Sequence, residues 1–376
     1  MLEKIIIVGT SHPYRGGIAA FTDRLSSEFV KEGVDIEVVT FKLQYPSFLF
    51  PGKTQYSDAK APESFPIERK VNSINPLNWL KVGKEICKKN PDLVIFTYWM
   101  SFFAPCFSKI AKMVKRNHHT RCIGLIHNMI PHEKSILDKL FAPRFVKAMD
   151  GFVALSKSVL DDVASLDKDN KPKFYVPHPL YDHYGEIVSR DEAVKHLNLD
   201  PNYRYLLFFG LVRAYKGLDL LLDAFADSRL RKYPVKLIIT GEFYDDPKPY
   251  LEQIKNHGLN DFVIVNNQYI SDDKVKYYFN ISEMVVQPYK SATQSGVTQV
   301  AYHFEKPILV TNVGGLGEII PNGKVGYVVE PKPSAIADAL VDFYENEKYN
   351  AFVEGVKEEK KKYQWSNMTK AIKDLL

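Results

Sequence analysis

Arg213 and Lys216 stand three residues apart in Phe209-Gly-Leu-Val-Arg-Ala-Tyr-Lys-Gly-Leu-Asp219, after an apolar run and before a helix expected to start near Leu218. That spacing lets both cations point into the space above a strand end. A guanidinium grips phosphate oxygens two at a time, and an ammonium acts as a point charge. Fixed cations stabilise negative charge as it develops on a leaving group. A second anion-seeking stretch is Thr293-Gln-Ser-Gly-Val297, a polar loop with one permissive glycine, followed by a short helix expected over Thr298 to Phe304. A loop entering a helix presents unsatisfied backbone N–H groups and a positive dipole end, which suit an anion such as a diphosphate. Gly16-Gly17 lets backbone approach a ligand at another helix start. His127, at the end of an apolar run, can donate a hydrogen bond to a hydroxyl or to developing charge. Each has a plain alternative: solvated cations, an ordinary tight turn, a structural histidine.

These residues need elements to hold them, and the chain supplies a strand–helix alternation. Lys4 to Gly9 is a β-branched run, Gly16 to Lys31 an amphipathic helix closed by Gly33, and Asp35 to Phe41 the next strand, a βαβ unit that implies a parallel sheet. Residues from about Lys42 to Ile74 carry prolines and aromatics without a clear period. They read as a structured insertion loop in which Phe48, Phe50, Tyr56 and Phe65 need burial. The alternation resumes with a helix over Pro76 to Lys89 and continues through strands Leu93 to Tyr98, Cys122 to His127, Phe152 to Leu155 and Lys173 to Val176. The stretch from Pro177 to about Asn202 reads as an interdomain connection. Strands Tyr205 to Gly210, Val235 to Gly241 and Phe262 to Asn267 follow, then the apolar run Met284 to Pro288 and the strand Pro307 to Thr311. Two strands running into glycine loops on one edge of a parallel sheet are where open α/β folds bind ligands.

Length and composition narrow the function. A chain of 376 residues fits two domains. Its apolar share of 45% and charged share of 25% are those of a soluble globular protein, without a signal-peptide plan or a spanning apolar run. Cys87, Cys106 and Cys122 lack CxxC spacing, so reduced thiols in a cytoplasmic protein are expected. A net charge of +5 and no recognised module argue against nucleic acid. Leu93 to His132 contains no acidic residue but holds Lys109, Lys112, Lys115, Arg116 and Arg121. Two readings stand: a face that meets anionic lipid headgroups with help from Phe102, Phe103 and Phe107, or a solvated helix face with those rings buried. The loop Gly9 to Gly17 is not GxGxxG, and no acid ends the second strand, which disfavours a nicotinamide or flavin dinucleotide. No HExxH, CxxC or strand-end DxD suggests a metal.

The stretch Gln287 to Glu318 resembles the donor-binding segment of the retaining glycosyltransferases of family GT4, carried by Lys306-Pro307, the strand Ile308 to Thr311 and Gly314-Gly-Leu-Gly-Glu318. The resemblance implies the GT-B fold, an α/β architecture of two Rossmann-like domains facing each other across a cleft. Residues 1–180 would form the acceptor-side domain, 181–363 the donor-binding domain, and 364–376 a helix crossing back to the first. It implies transfer of a sugar from a nucleotide diphosphate sugar to a lipid-linked or oligosaccharide hydroxyl acceptor in cell-surface polysaccharide, lipopolysaccharide or glycolipid synthesis. Neither cofactor nor metal would be needed. The site would lie in the cytoplasm or at the inner face of the membrane. Arg213 and Lys216 would hold the leaving diphosphate, and His127 would lie close to the donor sugar. Gly16, Gly17, Gly210, Gly241, Glu242, Tyr269, Ile270, Ser295, Gly296, Val297, Thr298 and Gln299 would line the donor site, and His132 and Glu133 would meet the acceptor. The family's two donor-binding glutamates would fall at Ala292 and Val300, and neither is acidic; a one-residue insertion would put Gln299 at the second. A nucleotide-sugar epimerase on the same fold, or a binder without catalysis, are the alternatives.

Overall fold

The computed structural model describes residues 2–46, 55–57, 60–129, 136–292 and 295–376. His132, Glu133, Phe48 and Phe50 lie outside the described residues. The chain divides into two compact units, Met1–His178 with Trp365–Leu376, and Pro179–Gln364.

In the first unit the order is β1 (Lys4–Val8), α1 (Gly17–Lys31), β2 (Asp35–Leu43), β3 (Ile67–Asn72), α2 (Pro76–Lys89), β4 (Leu93–Tyr98), α3 (Ala104–Val114), β5 (Arg121–Ile126), α4 (Ile136–Ala148), β6 (Gly151–Ala154), α5 (Lys157–Leu166) and β7 (Lys173–Tyr175). The seven strands are all parallel, in the order β3-β2-β1-β4-β5-β6-β7. A parallel strand with helices on both faces must be apolar on both sides, and Ile5 through Val8 are fully buried. The two faces carry separate cores. One gathers Val8, Phe96 and Phe152 with α2, α3 and α4; the other gathers Ile7, Phe21 and Leu125 with α1. Local chemistry sets the helix ends. Asn75 accepts from the amides of Leu77 and Asn78 with Pro76 behind it, and Asn90 closes α2 in the left-handed region.

The second unit runs α6 (Arg190–Leu197), β8 (Arg204–Phe209), α7 (Leu218–Phe225), β9 (Val235–Thr240), α8 (Lys248–Asn256), β10 (Val263–Asn266), α9 (Asp272–Ile281), β11 (Ser282–Gln287), α10 (Gly296–His303), β12 (Ile308–Thr311), β13 (Gly326–Val329), α11 (Pro333–Glu345) and α12 (Tyr349–Lys360). Its six parallel strands follow the order β10-β9-β8-β11-β12-β13. Both sheets reverse their direction of growth once, at β1/β4 and at β8/β11, the doubly wound Rossmann-like pattern. The final helix, α13 (Trp365–Lys373), belongs to the first unit: Trp365 meets Phe21 at 4.9 Å, Arg24 lies over its ring at 5.0 Å, and Glu32 accepts from Thr369 and Lys373.

The structure corrects several sequence expectations. The stretch read as a loop over 42–74 contains β3, whose pairing with β2 shifts register twice, between Thr40 and Phe41 and between Phe41 and Leu43; those breaks hide the period. The connection read over 177–202 contains α6, started by the Ser189 hydroxyl accepting from Glu192 N–H. Tyr56, expected to be buried, is 47% exposed and instead lies against Tyr14 and Arg69. Of the two readings of Leu93 to His132, burial favours the second for two of the rings: Phe103 and Phe107 are fully buried, and Phe102 is half-buried against the same core.

Candidate functional site

At the β8/β11 reversal of the second unit, four loops converge on the carboxyl edge of the sheet. The β8 and β9 loops stay paired beyond their strands, with Val212 N–H donating to Glu242 O (2.8 Å) and Tyr244 N–H donating to Val212 O (3.0 Å). Arg213 follows at once, and its guanidinium lies over the Tyr244 ring at 4.0 Å. Its Nε is buried without a partner. Gly217 lets the next turn press on the β11 loop: it sits at φ 68°, and a Cβ there would fall 2.0 Å from Pro288 O.

That turn aims Lys216 inward. Its ammonium lies 3.4 Å from where a Cβ on Gly210 would stand, and the Val297 side chain is 3.8 Å from the same point. The fold therefore brings Gly210, Lys216 and Val297 together. The Lys216 ammonium lies 5.6 Å from the centre of the Tyr289 ring, and among the described residues no carboxylate pairs with it. Burial, and secondarily the charge of Arg213, pushes the Lys216 pKa down to about 8. A half-buried cation without a counter-ion is partly desolvated at a cost and is suited to an anion that enters the site.

Around this point, Ser295 stands at the N-cap of α10 and its hydroxyl is 3.3 Å from that of Tyr289. Thr298 is buried and exchanges hydrogen bonds with the Gln287 amide. Gln299 is buried with its Oε1 unpartnered. The positions of the family's glutamates are apolar: Val300 is buried and Ala292 packs on the core. Gly241 follows β9 directly, and a Cβ there would strike Gly210 O at 2.2 Å. Glu242 is exposed, Tyr269 is 69% exposed beyond β10, and Ile270 is buried. Sequence reasoning missed Tyr244, Tyr289 and Lys290. Lys290 locks the edge: its N–H donates to Tyr215 O (2.7 Å) and its ammonium pairs with Asp219 at 2.6 Å. Tyr289-Lys290 directly after Pro288 was the available signal.

In the first unit, Gly16 takes φ 112° at the start of α1, with open space where a side chain would stand. His127 extends the β4–β5 pairing, its N–H donating to Tyr98 O at 2.8 Å, and its ring meets Phe21 edge-on at 4.8 Å. Its Nε2 is buried without a partner. Burial, then the neighbouring His178, pushes its pKa down to about 3, so the imidazole is neutral. On the same edge Asp23 accepts from the Ser11 hydroxyl, and burial raises its carboxyl to about 6. Among the described residues no three His, Cys, Asp or Glu side chains gather as metal ligands would.

The sequence matches the model "Glycosyltransferase Family 4" over residues 15–180 and "Glycosyl transferases group 1" over residues 189–359. It is 24% identical to an uncharacterized glycosyltransferase of Methanocaldococcus jannaschii, over 99% of this chain and 97% of that one. It is 26% identical to the O-antigen chain mannosyltransferase C of Escherichia coli, over 88% of this chain and 85% of that one. Among solved structures, Anabaena HepE in complex with UDP superposes with a TM-score of 0.72 at 14% identity, covering 99% of this chain and 98% of that one, a likeness of fold. With one family model on each compact unit and the two doubly wound sheets that the fold requires, this chain belongs to the group 1/family 4 glycosyltransferases and is a glycosyltransferase of the GT-B fold.

Proposed function

We propose that the protein transfers a sugar from a nucleotide diphosphate sugar, with retention at the anomeric carbon, to a hydroxyl of a lipid-linked or oligosaccharide acceptor in cell-surface polysaccharide or lipopolysaccharide synthesis. The observation that carries this is Lys216, a half-buried ammonium that no carboxylate pairs with among the described residues, set against Gly210 and Val297 at the sheet reversal. The O-antigen mannosyltransferase and UDP-bound HepE support the substrate class. In the reaction, the bond from the anomeric carbon to the diphosphate oxygen breaks and a bond to the acceptor oxygen forms. The acceptor's proton passes to the departing diphosphate, whose charge Lys216, Arg213 and the amides of Ser295 to Val297 stabilise. These cations take the part of a metal, so chelation leaves the rate unchanged. Gly241, Glu242, Tyr269 and Ile270 line the base end, Thr298 and Gln299 the ribose and sugar end, and neutral His127 in the first unit offers a hydrogen bond to a hydroxyl.

The test is donor consumption with and without acceptor lipid extract, in wild type and Lys216→Ala. Acceptor-dependent release of nucleotide diphosphate that the variant loses supports the reading. Donor binding without turnover on any acceptor overturns it.

Cytoplasmic placement with peripheral membrane contact belongs to the same proposal. On α2, Leu77 is 77% exposed and Ile74 precedes it, with Lys81, Lys84 and Lys88 exposed along the same helix. The neighbouring α3 adds exposed Lys109 and Lys112. Apolar anchors amid these lysines, where the one intervening carboxylate, Glu85, is already paired with Lys70, suit anionic headgroups. Among the described residues no helix is long and apolar enough to cross a membrane. Cosedimentation with phosphatidylglycerol vesicles, but not phosphatidylcholine vesicles, that Lys81→Glu/Lys84→Glu abolishes supports this contact.

A further inference from the structure

Arg213 and Tyr244 are neighbours across two strand ends. Beyond β8 and β9 the chain stays paired for one more step: Val212 bridges Phe243 in parallel, donating to Glu242 O at 2.8 Å and accepting from Tyr244 N–H at 3.0 Å. Side chains alternate along extended backbone, so the residues that follow the two bridge partners share the opposite face. Val212 is buried in the second unit's core, and Phe243 packs on that core. Arg213 and Tyr244, next in each segment, turn away from it together. Arg213 is extended, at φ −136° and ψ 152°, and its guanidinium carbon lies 4.0 Å from the centre of the Tyr244 ring. The ring itself is 66% exposed, so the core does not hold it there.

A carboxylate could hold this cation, but only by filling it. A guanidinium paired with a carboxylate has its fork of N–H groups occupied, and an entering phosphate must displace the partner. An aromatic ring attracts the same cation through its face and leaves the N–H groups, which lie in the guanidinium plane, open at the edge. The site follows the second plan. Among the described residues no hydrogen bond or ion pair engages the Arg213 side chain, and its Nε stands without a partner. The nearby acids are placed elsewhere: Asp219 pairs with Lys290 at 2.6 Å, Asp246 accepts from Lys248 N–H at 3.0 Å, and Glu242 and Asp245 are exposed. Lys216 repeats the arrangement, with its ammonium over the Tyr289 ring at 5.6 Å. After burial, the charge of Arg213 is the second cause that lowers the Lys216 pKa, so the two cations feel each other. Two like charges standing on neutral rings suit a ligand that carries more than one negative charge.

We propose that Tyr244 is a positioning residue for the transfer reaction, holding the Arg213 guanidinium by its face so that the edge meets the donor's diphosphate. This rests on the donor reading of the site. The test is calorimetric titration of the full chain with UDP and with GDP, in wild type, Tyr244→Leu, Tyr244→Phe, Arg213→Ala and the double variant Tyr244→Leu/Arg213→Ala. Tyr244→Leu should weaken diphosphate binding about tenfold, whereas Tyr244→Phe, which keeps the ring, should stay within about twofold of wild type. In the Arg213→Ala background Tyr244→Leu should bring no further loss, because the ring acts through the guanidinium. An exposed ring can be removed without opening the core, so the melting midpoint should hold. Unchanged affinity in Tyr244→Leu overturns the inference, as does a Tyr244→Phe loss equal to that of Tyr244→Leu. So does a Tyr244→Leu loss that is the same with and without Arg213, which would mean that the ring meets the nucleotide directly. In each of these cases wild-type binding leaves the donor reading intact. Wild type that binds neither diphosphate removes the donor reading and this inference with it.

Discussion

The ammonium of Lys216 and the bare α-carbon of Gly210 form one device, because the nitrogen stands 3.4 Å from where a Cβ on the glycine would sit. Gly210 also takes φ 97°, which an L side chain rarely adopts. Gly210→Ala is therefore expected to displace the ammonium and strain the turn together, lowering nucleotide diphosphate affinity as well as the unfolding midpoint. Calorimetric titration and a thermal melt read the two effects separately.

Lys216→Ala should behave in the opposite sense on stability. It removes a partly desolvated charge that no carboxylate offsets, so the melting midpoint should hold or rise, while kcat falls roughly 100- to 1000-fold, the usual cost of losing one transition-state electrostatic contact. A variant with near-native kcat would remove Lys216 from the leaving-group role.

Nucleotide diphosphate binding should take up protons in alkaline solution. The free ammonium titrates near 8, and an arriving diphosphate favours its charged form and raises that value. Affinity is thus greatest below about pH 8 and declines as pH rises through it. Calorimetry at pH 8.5 in buffers of different ionisation enthalpy should show net proton uptake in wild type and none in Lys216→Ala.

His127 should leave no imprint on the pH–rate curve between 5 and 8, because it is already neutral throughout that range. His127→Ala should slow transfer by roughly 100-fold if the imidazole serves as a hydrogen-bonding group. The shape of the profile should not change. An acid limb that vanishes with the substitution would mean the ring works as a cation.

Asp23 supplies a stability test. Its folded pKa of about 6 lies above the ordinary carboxylate value, so the native state binds more protons between roughly pH 4 and 6. Stability contributed by the protonated form is present at low pH and lost as pH rises through 6. Asp23→Asn, which keeps an acceptor for the Ser11 hydroxyl, should raise the midpoint at pH 7.5 and flatten its decline between pH 4 and 6.

Much of this molecule could be read from the chain alone. β-branched runs alternating with amphipathic helices dictate parallel sheets, because such strands are stable only when covered on both faces. Glycines beside Arg213, Lys216 and Ser295 marked the loops where an anion could approach backbone. What the chain could not declare depended on neighbours distant in sequence. The irregular register of β3 on β2 concealed a strand; whether Phe103 and Phe107 met lipid or the core stayed open until the turn before α3 and α3 itself set both rings into the core. The depressed pKa of Lys216 arises from burial by loops that the sequence places far apart. His127 Nε2 and Gln299 Oε1 are left without partners only by the way distant segments pack around them. Local pattern determines which elements form, but whether a polar atom finds a partner is settled by packing, and only the folded chain decides that.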